Sequence, residues 1–326
     1  MLSCLEKKLM MKKMIRKNYN FTVVIVLLLI IFSGCDSAND KKGRFLLKGN
    51  EKLKENDLQG AIEFYGEALK IDGEFADAFY NRGIVYQKLN RLDEAIMDYA
   101  EVLRINPDNV AALFQKGLAS MDNGEYYKAL DDANQLIRLD SENWKSYFLL
   151  GLVHERMKKY PEALDAFEKG LKIDSENTEL LVNKATILFY QKEYLEASKQ
   201  LEKAGKLNPE EANIYNLRSM IAFEEKEYTK ALEWVEIAIQ KNDREAYFYN
   251  NRGLYFLFLG NLDQGLQDIN LSLKQNPKNI YALRNKGIYY YLNGEKDQSL
   301  RYLGEVFQKD PDLEMVQEYY QKAQEM

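Results

Sequence analysis

The sequence is poor in the residues that build disulfide frameworks, metal centres and tightly turning β-sheets. Its 326 residues include only two cysteines, one histidine and five prolines. Two cysteines cannot form a disulfide framework or a cysteine-rich zinc site, and one histidine excludes a multi-histidine metal centre. So few prolines argue against a many-stranded β-sandwich, in which turns recur every few residues. We therefore expect neither a many-stranded β-sandwich nor a metal ion or another cofactor.

The sequence also lacks an excess of basic residues. It has 45 lysines and arginines against 51 aspartates and glutamates, which gives a formal net charge of −6. Because proteins that bind nucleic acid usually present a basic face, we expect no nucleic-acid partner. Hydrophobic residues make up 46% of the chain, too large a fraction for a disordered protein.

The first 34 residues have the pattern of a secretory signal. Six lysines and arginines within residues 7–17 precede an apolar run, Phe21 to Phe32, that is interrupted only by Thr22. This run is shorter than the roughly 20 residues that span a bilayer, and its length is typical of a signal peptide. It ends in Ser33-Gly34-Cys35, which resembles the lipobox of bacterial lipoproteins.

That resemblance implies that residues 1–34 are removed as a signal peptide and that Cys35 carries acyl chains such as palmitate. Residues 35–41 would be a short extended tether, and the protein would lie at the bacterial cell envelope, on either the outer or the inner membrane. Loss of residues 1–34 changes the formal net charge to −11. Because an anionic membrane surface does not attract such a chain, we expect contact with the membrane through lipid only. The alternative is an uncleaved signal anchor with an incidental cysteine.

A period of 34 residues runs without insertion from Lys42 to Leu313. In each repeat, position 4 is a large residue, and positions 8 and 20 are glycine, alanine or serine. Small residues at these positions allow two helix axes to approach closely. The eight repeats are 42–75, 76–109, 110–143, 144–177, 178–211, 212–245, 246–279 and 280–313.

Each repeat contains two apolar stretches of helical spacing, with a break near position 15. Five of the eight break residues are asparagine or glycine, the types that most easily take a left-handed backbone conformation. We therefore predict a helix–turn–helix in every repeat, followed by a capping helix in residues 314–326. The break residues are Asn56, Asn90, Gly124, Lys158, Lys192, Lys226, Gly260 and Gly294.

This pattern is similar to the tetratricopeptide repeat family, which carries a large residue at position 4, glycine or alanine at 8, aromatic residues at 11 and 24, alanine at 20 and proline at 32. The second repeat matches all six positions, with Phe79, Gly83, Tyr86, Ala95, Tyr99 and Pro107. The departures include Ala133 and Val235 in place of the position-24 aromatic and Ser219 in place of glycine. The sequence does not determine whether the eight repeats form one uninterrupted spiral, and the departures leave this open especially around repeat six.

The resemblance implies an all-α fold, a right-handed α-solenoid whose first helices line a concave groove. That groove would bind a protein or peptide with aliphatic anchors, and no small-molecule substrate. The alternative is that these side chains mainly cover their neighbours. The expected groove residues are Leu46, Asn50, Tyr80, Ile84, Phe114, Leu118, Phe148, Leu152, Phe189, Met220, Phe223, Leu254 and Ile288, with further aromatic rings at Tyr190, Tyr247, Phe258 and Tyr281.

Two other roles do not fit the sequence. The carboxylate clamp known in this family is expected to be absent, because Leu46, Ala111 and Gln115 occupy the places of its basic residues. An enzyme is not expected, because the neighbouring carboxylates Asp131 and Asp132 cannot converge on one helix face, and His154 occupies the family's packing position 11.

The sequence therefore predicts a lipid-anchored scaffold or adaptor of the cell envelope. The alternative is a self-associating structural subunit of an envelope assembly or secretion complex.

Overall fold

The computed structural model describes residues 38–326, so the signal sequence and Cys35 lie outside the described residues. The chain divides into two compact bodies at the boundary between Asp140 and Ser141. We call them the N-terminal body (residues 38–140) and the C-terminal body (residues 141–326). The boundary falls between repeats three and four. Within the described part of the chain, no helix is long and apolar enough to cross a membrane.

The described residues form 17 α-helices and no strand. The N-terminal body contains α1 (Ala38–Lys54), α2 (Leu58–Ile71), α3 (Ala76–Lys88), α4 (Leu92–Ile105), α5 (Val110–Asp122) and α6 (Tyr126–Leu139). The C-terminal body contains α7 (Trp144–Arg156), α8 (Tyr160–Ile173), α9 (Thr178–Tyr190), α10 (Tyr194–Leu207), α11 (Ala212–Glu224), α12 (Tyr228–Lys241), α13 (Ala246–Phe258), α14 (Leu262–Gln275), α15 (Ile280–Leu292), α16 (Lys296–Lys309) and α17 (Val316–Glu325).

Consecutive helices pack as helix–turn–helix repeats, which confirms the fold class expected from the sequence. The last helix, α17, buries Val316, Tyr319 and Ala323 and so covers the end of the C-terminal body. One difference lies at the other end of the described chain. Helix α1 begins at Ala38, so residues 38–41 are helical and do not form an extended tether. Asp40 lies in the first turn of α1, where a negative charge stabilises a helix.

The turn inside each repeat is built around one residue in the left-handed conformation. All eight break residues have positive φ, from 56° at Asn90 to 83° at Gly260. In repeat two, the Asn90 amide donates to the Gln87 carbonyl and the Arg91 amide donates to the Tyr86 carbonyl. These two bonds define the Schellman motif, which satisfies the last carbonyls of a helix. The sequence-based prediction of the turns is confirmed.

Three of these turns place a lysine where glycine or asparagine is preferred. Replacing such a lysine with glycine tests how much the left-handed conformation destabilises the protein. Lys192 has a φ of 63°. A Cβ atom in this conformation costs roughly 1–2 kcal/mol, although glycine also gains entropy in the unfolded chain. We expect Lys192→Gly to raise the free energy of unfolding by about 0.5–1 kcal/mol. The control, Lys199→Gly within α10, should lower it by about 1 kcal/mol. Urea denaturation of both variants checks the prediction, which fails if Lys192→Gly is no more stable than the parent.

The two helices of a repeat make their closest approach at position 8. A Cβ atom on Gly83 would lie 2.8 Å from the Tyr99 ring, and one on Gly151 would lie 2.4 Å from the Phe167 ring. Both rings are at position 24 and are fully buried. Glycine at position 8 is therefore required wherever a large aromatic ring occupies position 24.

This contact accounts for the irregular residues of repeats five and six. Ala185 and Ser219 carry a Cβ atom at position 8, and they face the smaller residues Leu201 and Val235 at position 24. All four side chains are buried. In repeats five and six, the larger residue at position 8 is thus accommodated by a smaller residue at position 24.

A second link joins the two helices between positions 7 and 23. Lysine or arginine at position 7 forms an ion pair with a buried aspartate in repeats two, three and seven, through Arg82–Asp98 (2.7 Å), Lys116–Asp132 (2.7 Å) and Arg252–Asp268 (2.6 Å). In repeats one, six and eight the cation lies over an aromatic ring, in the pairs Lys48–Phe64, Arg218–Trp234 and Lys286–Tyr302. Six repeats therefore use the same two positions to fix the helix pair.

Candidate functional site

The N-terminal body contains a cavity of about 600 Å³ between α1 and α3. The Asn50 side chain is fixed in its wall, because its Oδ1 accepts hydrogen bonds from the Tyr65 hydroxyl (2.8 Å) and from Asn81 Nδ2 (3.1 Å). The lining combines two leucines with five polar or charged residues. The lining residues are Leu47, Asn50, Glu51, Leu53, Lys54, Asn81 and Lys88.

The other groove residues expected in the N-terminal body are half-buried and do not line this cavity. Leu46 packs against the core around Tyr65, and Tyr80 and Ile84 pack against the core around Tyr99. Phe114 and Leu118 are also half-buried. Much of their surface therefore contacts the protein itself, and Asn50 is the expected residue that the cavity exposes.

In the C-terminal body, three expected groove residues lie in the core. Phe189 is 8% exposed, Leu254 is 4% exposed and Ile288 is completely buried, because neighbouring helices cover them. The remaining four, Phe148, Leu152, Met220 and Phe223, are half-buried and pack against core clusters. Part of each of these four side chains remains accessible, whereas Phe189, Leu254 and Ile288 are covered.

Large exposed tyrosine rings also lie in the C-terminal body. Tyr190, Tyr247 and Tyr281 are 41%, 44% and 38% exposed. Tyr160 stacks on Tyr190 with a centroid distance of 5.4 Å, and Tyr247 meets Tyr281 edge to face at 6.4 Å. We call these four residues the tyrosine cluster.

The two tyrosine pairs belong to different ends of the C-terminal body but lie close together. Burial raises the pKa of Tyr190, and the neighbouring Tyr281, Glu155 and Tyr160 raise it further. Burial also raises the pKa of Tyr281, to which Tyr247 and Tyr160 contribute. Tyr281 therefore contributes to the electrostatic environment of Tyr190, although the two residues come from repeats eight and five.

A chain of asparagine side chains runs through repeats six to eight at positions 5 and 6. Asn251 Nδ2 donates to Asn216 Oδ1 at 2.9 Å, and Asn285 Nδ2 donates to Asn250 Oδ1 at 2.8 Å. Arg284 ends the chain, with Nε donating to Asn285 Oδ1 and Nη1 donating to the Glu314 carbonyl. The repeated Asn-Asn and Arg-Asn pairs at fixed positions are a signal that the sequence reasoning did not use. The hydrogen bonds between these side chains hold the last three repeats and the residues before α17 in register.

The residues considered for catalysis do not converge. The Asp132 carboxylate turns towards Lys116, whereas Asp131 is exposed on the same helix. His154 is half-buried, its Nδ1 has no hydrogen-bond partner in the described structure, and burial lowers its pKa. Within residues 38–326, no three histidine, cysteine, aspartate or glutamate side chains are grouped to hold a metal ion.

Comparison with known proteins gives a consistent family assignment. Residues 76–109 and 144–177 match the family described as Tetratricopeptide repeat, residues 49–90 match that described as TPR repeat, and residues 182–246 match a further Tetratricopeptide repeat family. No curated protein matches the sequence.

Two solved structures illustrate the likeness of the fold. One is the APC/C hetero-tetramer Cut9–Hcn1, with a TM-score of 0.66 and 12% identity over 86% of this chain and 55% of that chain. This protein thus spans about half the length of that chain. The other is PilF of Pseudomonas aeruginosa, with a TM-score of 0.52 and 20% identity over 66% of this chain and 96% of that one. At these identities the likeness concerns the fold alone.

One family accounts for the helix pairs, the left-handed turns, the small residues at position 8 and the matches to family models. The chain is a tetratricopeptide repeat protein. Proteins of this class generally mediate protein–protein interactions and act as scaffolds, and their repeat fold is typically not catalytic.

Proposed function

We propose that the protein is a lipid-anchored adaptor of the bacterial cell envelope, and that it binds a protein or peptide partner through aliphatic anchors. The observation that carries the binding role is the set of large, exposed side chains on first helices of the repeats. They are Leu47, which lines the cavity of the N-terminal body, and Tyr190, Tyr247 and Tyr281 in the C-terminal body. Exposed apolar surface of this kind usually marks an interaction site.

The proposed anchor is supported by the Ser33-Gly34-Cys35 sequence that follows the apolar run. Helix α1 begins three residues after Cys35. Three residues span at most about 10 Å, so a lipid on Cys35 would hold the start of α1 close to the bilayer. Attachment through lipid alone fits the acidic composition, since the chain has no net positive charge to attract it to an anionic surface.

Photocrosslinking in the native cell tests both parts of the proposal. A photoreactive residue is placed at the exposed Tyr247 on α13 or, as a control, at the exposed Asp165 on α8. We expect one distinct protein adduct at Tyr247 and none at Asp165. In a Cys35→Ser background, we expect most of the protein to move from the membrane fraction to the soluble fraction.

The outcomes separate the competing functions. An adduct with a second copy of the chain would favour the self-associating subunit. Equal capture at both probes, or none at either, would contradict partner binding on this surface. Membrane retention of Cys35→Ser would contradict the lipid anchor without affecting the binding role.

A further inference from the structure

The amide group of Asn50 has a fixed orientation in the wall of the N-terminal cavity. Its Oδ1 accepts hydrogen bonds from the hydroxyl of the fully buried Tyr65 and from Asn81 Nδ2. Because both donors converge on the oxygen, the other end of the amide is the nitrogen, which can only donate. Asn50 Nδ2 makes no hydrogen bond within residues 38–326, and Asn50 lines the cavity. The wall therefore offers a hydrogen-bond donor to a ligand.

Two lysines line the same cavity from successive repeats. Lys54 is the last residue of α1 and Lys88 is the last residue of α3, so both occupy position 13 of their repeats. Both side chains are exposed, and neither forms a hydrogen bond or an ion pair with another residue of the described chain. Lys52 on the same helix differs, because Glu55 and Asp57 lie within 2.9 Å and 3.4 Å of its ammonium group. The two ammonium groups of the cavity are thus left for an external partner.

The cavity is cationic although the protein as a whole is acidic. Its lining carries two positive charges, on Lys54 and Lys88, and one negative charge, on the exposed Glu51. The formal charge of the lining is therefore +1, whereas that of the whole chain is −6. No ion pair joins Glu51 to either lysine in the described structure. A local reversal of charge of this kind selects a negatively charged ligand.

The remaining lining is apolar and indicates how a ligand would lie. Leu47 is 62% exposed, and Leu53 is half-buried. All seven lining residues belong to α1 and α3, so no third helix contributes a wall that would close the cavity at its ends. A peptide segment can therefore continue past the cavity and place one side chain in it, with a neighbouring apolar side chain against the leucines.

We propose that this cavity binds an aspartate or glutamate side chain, and that the partner segment which docks on the N-terminal body is therefore acidic. This inference rests on the proposed binding function and specifies the chemistry of the partner. The carboxylate would accept a hydrogen bond from Asn50 Nδ2 and pair with Lys54 and Lys88. An aliphatic neighbour would cover Leu47 and Leu53. A purely aliphatic segment would remove the three donor groups from water without replacing their hydrogen bonds.

The test uses three fluorescent dodecapeptides that share the same leucine and alanine positions. The first carries glutamate at the remaining positions and has blocked ends, the second carries glutamine and has blocked ends, and the third carries glutamine and has a free C-terminal carboxylate. Binding to the full chain is measured by fluorescence anisotropy at physiological ionic strength. We expect the glutamate peptide to bind at least roughly tenfold more tightly than the other two, because a hydrogen bond to a charged group contributes about that much.

Three variants of the protein locate the binding. Asn50→Asp keeps an oxygen that accepts from Tyr65 and Asn81 but replaces Nδ2 with a second oxygen, so it should weaken binding of the glutamate peptide by at least roughly tenfold. Lys88→Gln should weaken it by about threefold, because the exposed ammonium group remains partly solvated in the complex. Lys172→Gln is the matched control, because Lys172 is an exposed lysine in the last turn of α8, and it should leave the affinity unchanged. Circular dichroism should show that all three variants remain folded.

The other outcomes would overturn the inference. Equal losses for Lys88→Gln and Lys172→Gln would mean that the attraction comes from overall charge. Equal binding of the glutamate peptide and the free-ended glutamine peptide would assign the site to a chain end and not to a side chain. Equal binding of all three peptides would reject the acidic partner but leave the protein-binding function standing. Binding of none of them would reject it as well, and crosslinking at Tyr247 in the C-terminal body would then decide the proposed function independently.

Discussion

Gly151→Ala should lower the free energy of unfolding by about 1–3 kcal/mol, as expected when a close-packed core is overfilled. The added Cβ atom would lie 2.4 Å from Phe167 Cε1 and 2.6 Å from Phe167 Cδ1, well inside van der Waals contact. The Phe167 ring is fully buried and adjoins the Phe148 ring, so it cannot swing into solvent. Helices α7 and α8 would have to move apart, and the contacts around the ring would be lost. Urea denaturation followed by circular dichroism measures the change.

Gly66→Ala is the control for this prediction. Gly66 lies within α2, and a Cβ atom there would meet no other atom within 4 Å. The intrinsic preference of a helix for alanine should then stabilise the protein by about 1 kcal/mol. The same substitution is therefore expected to have opposite signs at the two positions. A Gly151→Ala variant as stable as the parent would mean that the two helices are not held as closely as the structure indicates.

A compensating variant tests the cause directly. Repeat five combines Ala185 with Leu201, and both are buried without crowding. Gly151→Ala combined with Phe167→Leu would reproduce that combination in repeat four. We expect the double variant to be more stable than the sum of the two single changes predicts, with a coupling energy of about 1 kcal/mol or more. Additive effects would contradict direct competition between positions 8 and 24.

The repeat architecture could be predicted because it depends on contacts between residues of one repeat. Small residues at positions 8 and 20 mark the closest approach of the helix pair, and the residue near position 15 marks the left-handed turn. Even the lysine turns, such as Lys158 and Lys226, were located by their position in the period, although lysine has no preference for positive φ. The position of a residue in the 34-residue period therefore predicts the left-handed turn better than its residue type does.

The candidate site was less predictable because it depends on how repeats curve past each other. Position 9 was expected to face a ligand, yet Leu254 and Ile288 are covered by neighbouring helices. The division of the chain after Asp140 is likewise not marked by any irregularity of the period. These features follow from small rotations between successive repeats, which the sequence pattern does not determine.

Asp98→Ala should have the largest effect, lowering the free energy of unfolding by about 3 kcal/mol. The Arg82 guanidinium donates two hydrogen bonds to Asp98, from Nη2 to Oδ1 at 2.7 Å and from Nε to Oδ2 at 2.8 Å. The Asp98 side chain is 6% exposed and that of Arg82 is 21% exposed. Removal of the carboxylate would leave the guanidinium largely desolvated and without a partner between α3 and α4. This loss of unfolding free energy is at the lower end of the range for broken buried ion pairs, because Arg82 retains some contact with water.

Two variants distinguish an unpaired charge from simple loss of packing. Arg82→Met combined with Asp98→Leu removes both charges and keeps apolar volume, so we expect stability close to that of the parent. Glu101→Ala removes a carboxylate from an exposed pair with Arg104, and it should change stability far less because water solvates both groups. Urea denaturation of the four proteins gives the comparison. If the double variant were as unstable as Asp98→Ala, the ion pair itself would stabilise the helix pair. We would then expect the Lys116–Asp132 and Arg252–Asp268 pairs to stabilise their own helix pairs as well.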